Sequence, residues 1–157
     1  MSFPEQLKER IDAIVSGSET KQSALIPVLR EIQNEYGYLS DESMEEAAGI
    51  LGLPPAGVQN VATFYTMFFR KPVGEHVIWL CRTLSCALRG AENVEHYMCE
   101  RLGVKTGETT ADGKITLMEA ECLASCGTAP VMLIDDKLEE NLTKDKVDRL
   151  IEELRKG

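Results

Sequence analysis

Four of the five cysteines in this 157-residue chain stand in two pairs, and they are the residues best suited to chemistry. Cys81 and Cys86 are spaced C-x4-C, and Cys122 and Cys126 are spaced C-x3-C. Each pair is close enough in sequence to bind one metal atom. Four thiolates are the ligand set of a [2Fe–2S] cluster, which takes two sulfurs for each iron. The spacing therefore indicates electron transfer rather than acid–base catalysis.

Other uses of four cysteines require different spacings. Structural zinc sites also use four thiolates, but their usual knuckle is the tighter C-x-x-C. A dithiol oxidoreductase needs that same motif, which this sequence lacks. The two histidines, His76 and His96, have no ligand-like spacing, which disfavours a Rieske-type site. A zinc-stabilised interaction module without a redox role stays open as the alternative from a different class.

The fifth cysteine, Cys99, falls within a predicted helix and has no cysteine close to it in sequence. A free cysteine in such a position behaves as a small apolar residue. We therefore predict that Cys99 is partly buried and is not a ligand.

The composition is that of a soluble globular protein, with 43% hydrophobic and 27% charged residues. The net charge of −9 argues against nucleic-acid binding and suits a partner with a basic face. Residues 1–15 lack the apolar stretch of a signal peptide, and no apolar run approaches the roughly 18 residues of a membrane span. We therefore expect a cytoplasmic protein with reduced thiols and no direct membrane insertion.

Residues 1–72 are predicted to form a helical bundle, because apolar residues recur there at helical spacing. A second helix is expected to end at Tyr36, before Gly37. Ser40 is expected to cap a third helix, which Gly52 ends. Pro54 and Pro55 are then expected to open a short fourth helix. Residues 70–75 form the predicted linker.

Aromatic side chains are concentrated at the end of this helical half. Four of them lie within six positions: Phe64, Tyr65, Phe68 and Phe69. One interpretation is core packing between the two halves of the chain; the other is a patch that docks on a partner.

Residues 73–157 are predicted to form an α/β domain with the order β-α-β-β-β-α, so that the fold class is α+β. The expected strands are 76–81, 115–120, 131–134 and a short one near Leu138. Helices are expected over 89–102, ended by Gly103, and after Thr143, which can cap the final helix.

The strand positions explain how the two cysteine pairs could meet. If the strands that precede Cys86 and Cys122 are parallel neighbours, their C-terminal ends share one edge of the sheet, where open α/β sheets generally bind ligands. Cys81 ends the first strand and Cys122 lies just past the second, so Cys86 and Cys126 are expected in the following loops. Backbone N–H groups expected to donate to the cluster sulfurs are those of Thr83, Ser85, Leu123, Ala124 and Ser125.

Along nearly its whole length the chain resembles the thioredoxin-like [2Fe–2S] subunit of bacterial NADH:quinone oxidoreductase (complex I), the E-type or 24 kDa-type family. The N-terminal part of the resemblance is carried by Ser23-Ala24-Leu25-Ile26-Pro27, Gln33, Gly37-Tyr38-Leu39-Ser40 and Val61-Ala62-Thr63-Phe64-Tyr65-Thr66-Met67-Phe68. The cysteine loops match in Cys86-Ala87-Leu88-Arg89-Gly90, Glu121-Cys122-Leu123 and Cys126-Gly127-Thr128-Ala129-Pro130-Val131-Met132. One departure is Ala124-Ser125, where many relatives carry Gly-Ala; it leaves the cysteines intact.

The resemblance implies a helical bundle followed by a thioredoxin-like domain that holds one [2Fe–2S] cluster on Cys81, Cys86, Cys122 and Cys126. It also implies a cis peptide bond before Pro130. The subunit would dock on an F-type subunit that binds FMN and NADH, exchange electrons with that FMN and lie in the peripheral arm of the membrane-bound complex.

The sequence contains no G-x-G-x-x-G dinucleotide fingerprint, so NADH and flavin are expected on the partner alone. The chain is then a redox subunit that is not catalytic by itself. Equivalent diaphorase subunits serve NAD-linked hydrogenases and formate dehydrogenases, and they stay as alternatives within the same class.

Overall fold

The computed structural model describes residues 2–156, and the chain divides into two compact units between Pro72 and Val73. The first unit contains helices only, and the second combines a four-stranded sheet with helices. The predicted α+β class with an N-terminal helical region is therefore confirmed. Within the described range, no helix is both long enough and apolar enough to cross a membrane.

Four helices make up the first unit: α1 (Glu5–Gly17), α2 (Leu25–Tyr36), α3 (Asp41–Leu51) and α4 (Pro55–Phe64). The C-terminal ends of α2 and α3 lie where the sequence predicted them. Gly37 and Gly52 follow α2 and α3 with φ of 79° and 62°, the left-handed region that favours glycine. The Ser40 hydroxyl caps α3 by accepting the N–H of Ser43 at 3.1 Å.

The aromatic segment at the end of α4 packs within the first unit, where the sequence had suggested packing between the two halves of the chain, and docking on a partner stays a prediction. Phe68 is buried in the core of the first unit, whereas Phe64 is 78% exposed and Tyr65 is 39% exposed. Gln33 on α2 holds the segment in place, since its side chain donates to the Met67 carbonyl and accepts the N–H of Phe69. The segment therefore both packs inward and presents aromatic surface outward.

The second unit follows the predicted order with one added helix. Its elements are β1 (His76–Cys81), α5 (Leu84–Leu88), α6 (Ala91–Leu102), β2 (Ile115–Ala120), a single 3₁₀ turn (Cys126–Thr128), β3 (Met132–Ile134), β4 (Lys137–Glu139) and α7 (Lys144–Lys156). The Thr143 hydroxyl accepts the N–H of Lys146 at 3.2 Å, as expected of a cap for α7. Gly103 ends α6 with φ of 70°.

The sheet has the strand order β2-β1-β3-β4. Strands β1 and β2 are parallel neighbours, and their last residues, Cys81 and Ala120, are paired. Strand β3 runs antiparallel to both β1 and β4. The predicted parallel pairing is confirmed, and it brings the segments that follow Cys81 and Ala120 to the same edge of the sheet.

The core of this unit lies between the sheet and the two long helices. Its buried members from the strands include Ile78, Leu80, Ile115, Leu117 and Met132, and those from α6 and α7 are Val94, Met98, Leu102, Val147 and Ile151. Asp148 on α7 joins the two helices by accepting from the Tyr97 hydroxyl and from the Arg101 guanidinium, each at 2.7 Å. The sheet whose edge carries the cysteines thus packs against both long helices of the unit.

Two details of the helical prediction were wrong. The segment after Cys81 was expected to be a loop, but Leu84–Leu88 forms the short helix α5. The following helix was expected from Arg89, yet α6 begins at Ala91. Gly90 separates them because its φ of 91° lies in the left-handed region, outside helical geometry.

Gly74 is required at the entry to the second unit. A Cβ atom at this position would lie 2.9 Å from backbone atoms of Lys114 and Ile115, closer than side chains approach. Its N–H also donates to the Thr116 hydroxyl at 2.6 Å. The close approach fixes the chain just before β1.

Glu139 on β4 gives the second unit a pH-dependent contribution to stability. The residue is 7% exposed, and its carboxylate pairs with Lys137 at 2.7 Å and Lys146 at 2.9 Å. These hydrogen bonds hold the pKa of Glu139 below its ordinary value of 4.5. Because the folded pKa is depressed, the contribution is present above the ordinary value and is lost as the pH falls through the lower folded pKa.

We therefore expect Glu139→Gln to lower the free energy of unfolding by about 1–2 kcal/mol at pH 7. The difference between wild type and variant should shrink as the pH falls below about 4.5, where Glu139 of the unfolded chain begins to bind a proton, and should be lost below the lower pKa of the folded protein. Urea unfolding of both proteins followed by circular dichroism at several pH values measures this. A difference that stays constant down to pH 3 would show that the ion pairs are not its source.

Candidate metal centre

The first cysteine pair is buried at the end of β1. Cys81 is 2% exposed and Cys86, on α5, is 1% exposed. The two thiols are hydrogen-bonded to each other. They lie in a small apolar cluster, separate from the main core, whose other buried members are Ala91, Ala129 and Val131. Cys86 was expected in a loop; instead, α5 turns it inward.

The second pair is exposed. Cys122 lies just past β2, and Cys126 begins the 3₁₀ turn rather than an irregular loop. Cys122 Sγ accepts the N–H of Ala124 at 3.4 Å. Ala124 has φ of 58°, in the left-handed region that favours glycine. The backbone of this loop thus turns so that the N–H of Ala124 contacts the sulfur of Cys122.

Two contacts join the loop of the second pair to the first pair. Leu123 packs against the apolar cluster that holds Cys81 and Cys86, and its N–H donates to the thiol of Cys81. The charge of Cys126 also helps to raise the pKa of Cys86. The structure therefore brings the loop of the second pair against the first pair through Leu123. That all four cysteines bind one group stays a prediction.

An ion-pair network spans the same two segments. Arg82, directly after Cys81, contacts Glu119 at 3.2 Å and Glu121 at 3.0 Å. Glu121 directly precedes Cys122. Exposed ion pairs of this kind contribute little stability, but this one joins the chain on either side of the cysteines.

The buried thiols differ in acidity. Burial raises the pKa of Cys81, but hydrogen bonds from the Thr83 hydroxyl and from the N–H groups of Leu123 and Thr83 outweigh it, so its pKa lies below the ordinary value. Burial and the interaction with Cys81 raise the pKa of Cys86, although the N–H of Val131 acts in the opposite direction. Of the two buried thiols, Cys81 therefore loses its proton more readily than Cys86.

Three of the expected N–H donors contact sulfur. Thr83 and Leu123 donate to Cys81, and Ala124 donates to Cys122. That the N–H groups of Ser85 and Ser125 donate to sulfur stays a prediction. The peptide bond between Ala129 and Pro130 is cis, as expected. Cys99 is half-buried on α6 and packs against the core, which confirms its predicted position.

The donor set suits a soft metal group. Soft thiolate ligands select iron–sulfur clusters, zinc and copper(I). Between residues 2 and 156, no three His, Cys, Asp or Glu side chains are grouped so that they could hold a single metal ion. A [2Fe–2S] group takes its thiolates in pairs, and paired cysteines with backbone donors are what the two segments present. The residues fit such a group.

A family model described as thioredoxin-like [2Fe–2S] ferredoxin matches residues 11–155. The chain belongs to this family. The match covers the helical unit from α1 onward as well as the cysteine-bearing unit, so both halves of this thioredoxin-like [2Fe–2S] ferredoxin are part of the family's pattern. The resemblance seen in the sequence is confirmed.

Curated relatives of this ferredoxin-family chain are similar over most of their length. The E 2 subunit of NADH-quinone oxidoreductase from Rhizobium meliloti is 39% identical over 149 residues, covering 95% of this chain and 89% of the relative. NADH-quinone oxidoreductase subunit 2 of Thermus thermophilus is 39% identical, with 88% and 77% covered. The E subunit of the NADH-quinone oxidoreductase from Escherichia coli K12 is 34% identical, with 92% and 87% covered.

A solved structure, that of an NAD⁺-reducing [NiFe]-hydrogenase in the air-oxidised state, shares the fold with a TM-score of 0.73 and 23% identity. The similarity covers 83% of this chain but only 22% of the hydrogenase chain, so this thioredoxin-like ferredoxin spans about a fifth of that protein.

Some contacts at the site could not be anticipated from the sequence. Arg82 and Glu121 are 39 residues apart, and Val131 donates to a cysteine far before it in the chain. Local periodicity carries no signal for such contacts. Only the strand pairing, once it is known, places these residues side by side.

Proposed function

We propose that this chain is an electron-transfer subunit of an NADH:quinone oxidoreductase, with one [2Fe–2S] cluster bound by Cys81, Cys86, Cys122 and Cys126. The observation that carries the proposal is the meeting of the two cysteine segments, in which Leu123, directly after Cys122, packs against the apolar cluster that holds Cys81 and Cys86. The names of the curated relatives support the assignment to this complex.

Different residues of the chain serve different roles at such a site. When bound, a [2Fe–2S] cluster accepts and releases an electron at a potential that its surroundings set. The buried pair, Cys81 and Cys86, excludes water from one side of the site. Backbone donors such as Leu123 and Ala124 stabilise negative charge on sulfur. The exposed pair leaves the other side open to an electron donor or acceptor.

The partner in this proposal is the F-type subunit, which would bind FMN and NADH. The sequence has no dinucleotide fingerprint of its own, so NADH oxidation is assigned to the partner and this chain does not catalyse it alone. The cluster would exchange electrons with the partner's FMN. The place of the chain is then the cytoplasmic peripheral arm of the membrane-bound complex.

The test is an absorption and EPR spectrum of anaerobically purified protein before and after dithionite, with iron and acid-labile sulfide counted. Two irons and two sulfides for each chain, with a rhombic EPR signal that appears on reduction, are expected. A colourless, EPR-silent protein that contains zinc would instead establish the structural module and remove electron transfer from the function.

A further inference from the structure

The segment around Cys126 is flanked by two hydroxyl side chains that contact one carboxylate. Ser125 directly precedes Cys126, and Thr128 follows two residues after it. Ser125 Oγ donates to Glu140 Oε1 at 2.7 Å, and Thr128 Oγ1 donates to the same oxygen at 2.6 Å. The two hydroxyls are themselves 2.8 Å apart. The two hydroxyls and the carboxylate oxygen thus form a compact polar cluster beside Cys126, in which both hydroxyl protons can point to the carboxylate.

The backbone after Glu140 is bonded to the same segment. The N–H of Asn141 donates to the carbonyl of Thr128 at 2.7 Å, and the N–H of Leu142 donates to the carbonyl of Pro130 at 3.0 Å. These two bonds set the position of the Glu140 side chain. Its contacts with Ser125 and Thr128 therefore belong to an ordered junction between the chain after β4 and the 3₁₀ turn.

The two neighbouring glutamates face different surroundings. Glu139 pairs with Lys137 and Lys146. Lys146 donates to the backbone carbonyl of Glu140 at 2.8 Å and its charge also acts on the Glu140 carboxylate, which accepts its hydrogen bonds from the two hydroxyls. Hydrogen bonds from Thr128 and Ser125 hold the pKa of Glu140 below its ordinary value. At neutral pH, Glu140 thus brings a negative charge to the Cys126 segment.

We propose that Glu140 is a positioning residue of the redox site, which holds the Cys126 segment through Ser125 and Thr128 and lowers the reduction potential through its negative charge. The inference rests on the proposed [2Fe–2S] function. A nearby negative charge disfavours the addition of an electron, and charge and hydrogen bonds are among the factors that set iron–sulfur potentials. Hydrogen bonds that fix a ligand segment slow the loss of the metal.

Three variants of the intact chain separate the effect of the Glu140 charge on the reduction potential from the effect of its hydrogen bonds on the Cys126 segment. Glu140→Gln keeps an acceptor oxygen and removes the charge. The double variant Ser125→Ala with Thr128→Val removes both donors and keeps the charge. Glu139→Gln is the matched control, since it removes one charge from the adjacent residue, whose carboxylate contacts lysines instead of the Cys126 segment.

The measurements are the midpoint potential, from an EPR-monitored redox titration, and the rate of iron transfer to a chelator. Glu140→Gln should raise the midpoint, increasing the reduced-to-oxidised ratio at a fixed potential by up to about tenfold, or about 59 mV for one electron. The double variant should lose iron severalfold faster with a smaller change in midpoint. Glu139→Gln should lower thermal stability while both values stay at wild type.

Equal midpoints in Glu140→Gln and Glu139→Gln, or wild-type iron release in the double variant, would overturn the inference. If Glu140→Gln does not retain the cluster, the single variants Ser125→Ala and Thr128→Val are measured in its place. Each is expected to release iron faster than wild type. Wild-type rates of iron release in both would overturn the proposal. Wild-type protein without iron and sulfide would overturn the proposed function itself, which distinguishes the two failures.

Discussion

Serine in place of Cys86 or Cys122 is expected to abolish the iron–sulfur chromophore, whereas serine in place of Cys99 is expected to leave it unchanged. The reason is the ligand count, because each iron of a [2Fe–2S] cluster takes two protein sulfurs. A serine hydroxyl is a harder donor than thiolate and is poorly suited to a soft iron–sulfur group. Iron content should fall by about tenfold or more in each ligand variant.

The two ligand variants test different parts of the site. Cys86 is buried with Cys81 in the apolar cluster, so its replacement also introduces a hydroxyl into an apolar setting. Cys122 is exposed, and serine there should cost the fold little. Loss of the chromophore in Cys122→Ser with unchanged circular dichroism therefore isolates ligation from folding.

Cys99→Ser is the control because Cys99 is half-buried on α6 and packs against the core rather than with the other cysteines. Absorption spectra, EPR of the dithionite-reduced protein and iron analysis compare all three variants. Loss of the chromophore in Cys99→Ser, with retention in Cys122→Ser, would overturn the proposed ligand set.

The features that could be predicted from the sequence are those that local chemistry decides. The capping hydroxyl of Ser40 and the stop at Gly37 have short-range causes, and both lie where expected. The strand over His76–Cys81 was also correctly bounded, because a short β-rich run ends at a change of pattern. The parallel pairing of β1 with β2 followed from the intervening helix.

The parts that were missed depend on contacts between distant segments or on elements too short to show a period. Helix α5 has five residues, and its two leucines are exposed, so no amphipathic pattern in the sequence indicates a helix there. The contacts of Glu140 with Ser125 and Thr128 arise only once β3 and β4 have turned the chain back. Similarly, spacing alone could not decide that Phe68 is buried while Phe64 is exposed.

Aspartate at both Leu84 and Leu88 is expected to weaken binding to the proposed F-type partner while leaving the cluster in place. The two leucines are 74% and 78% exposed. They are four residues apart, which places them on one face of α5. Cys86, on the same helix, is 1% exposed and turned inward. The leucines therefore form the outer surface of the helix that carries a proposed ligand.

Leu88 also borders an open cleft of about 540 Å³, lined on its other sides by Ala129, Pro130 and Leu142 among others. The cleft also has polar lining residues, Arg89, Asn141 and Thr143, and it adjoins the residues that follow Cys126. A partner that exchanges electrons with the site has to approach it closely, and a few well-packed, desolvated side chains near the centre of an interface contribute most of its binding energy. The leucines and the cleft together provide such a contact surface next to the cysteines.

A charge on each leucine position would remove apolar contact and leave a carboxylate desolvated in the interface, so we expect binding to be about 10–100-fold weaker. Titration calorimetry with the purified FMN-containing partner measures the affinity, and the absorption spectrum checks the cluster. Because both side chains are exposed, the unfolding temperature should change little.

Leu138→Asp supplies the control, as it places the same charge on an exposed leucine of β4, at the edge of the sheet. It should bind the partner as wild type does. Equal weakening by Leu138→Asp would mean that added negative charge, rather than the α5 surface, lowers the affinity. Full binding by the double variant would place the interface elsewhere, and the exposed pair Phe64 and Tyr65 would then be the next surface to alter.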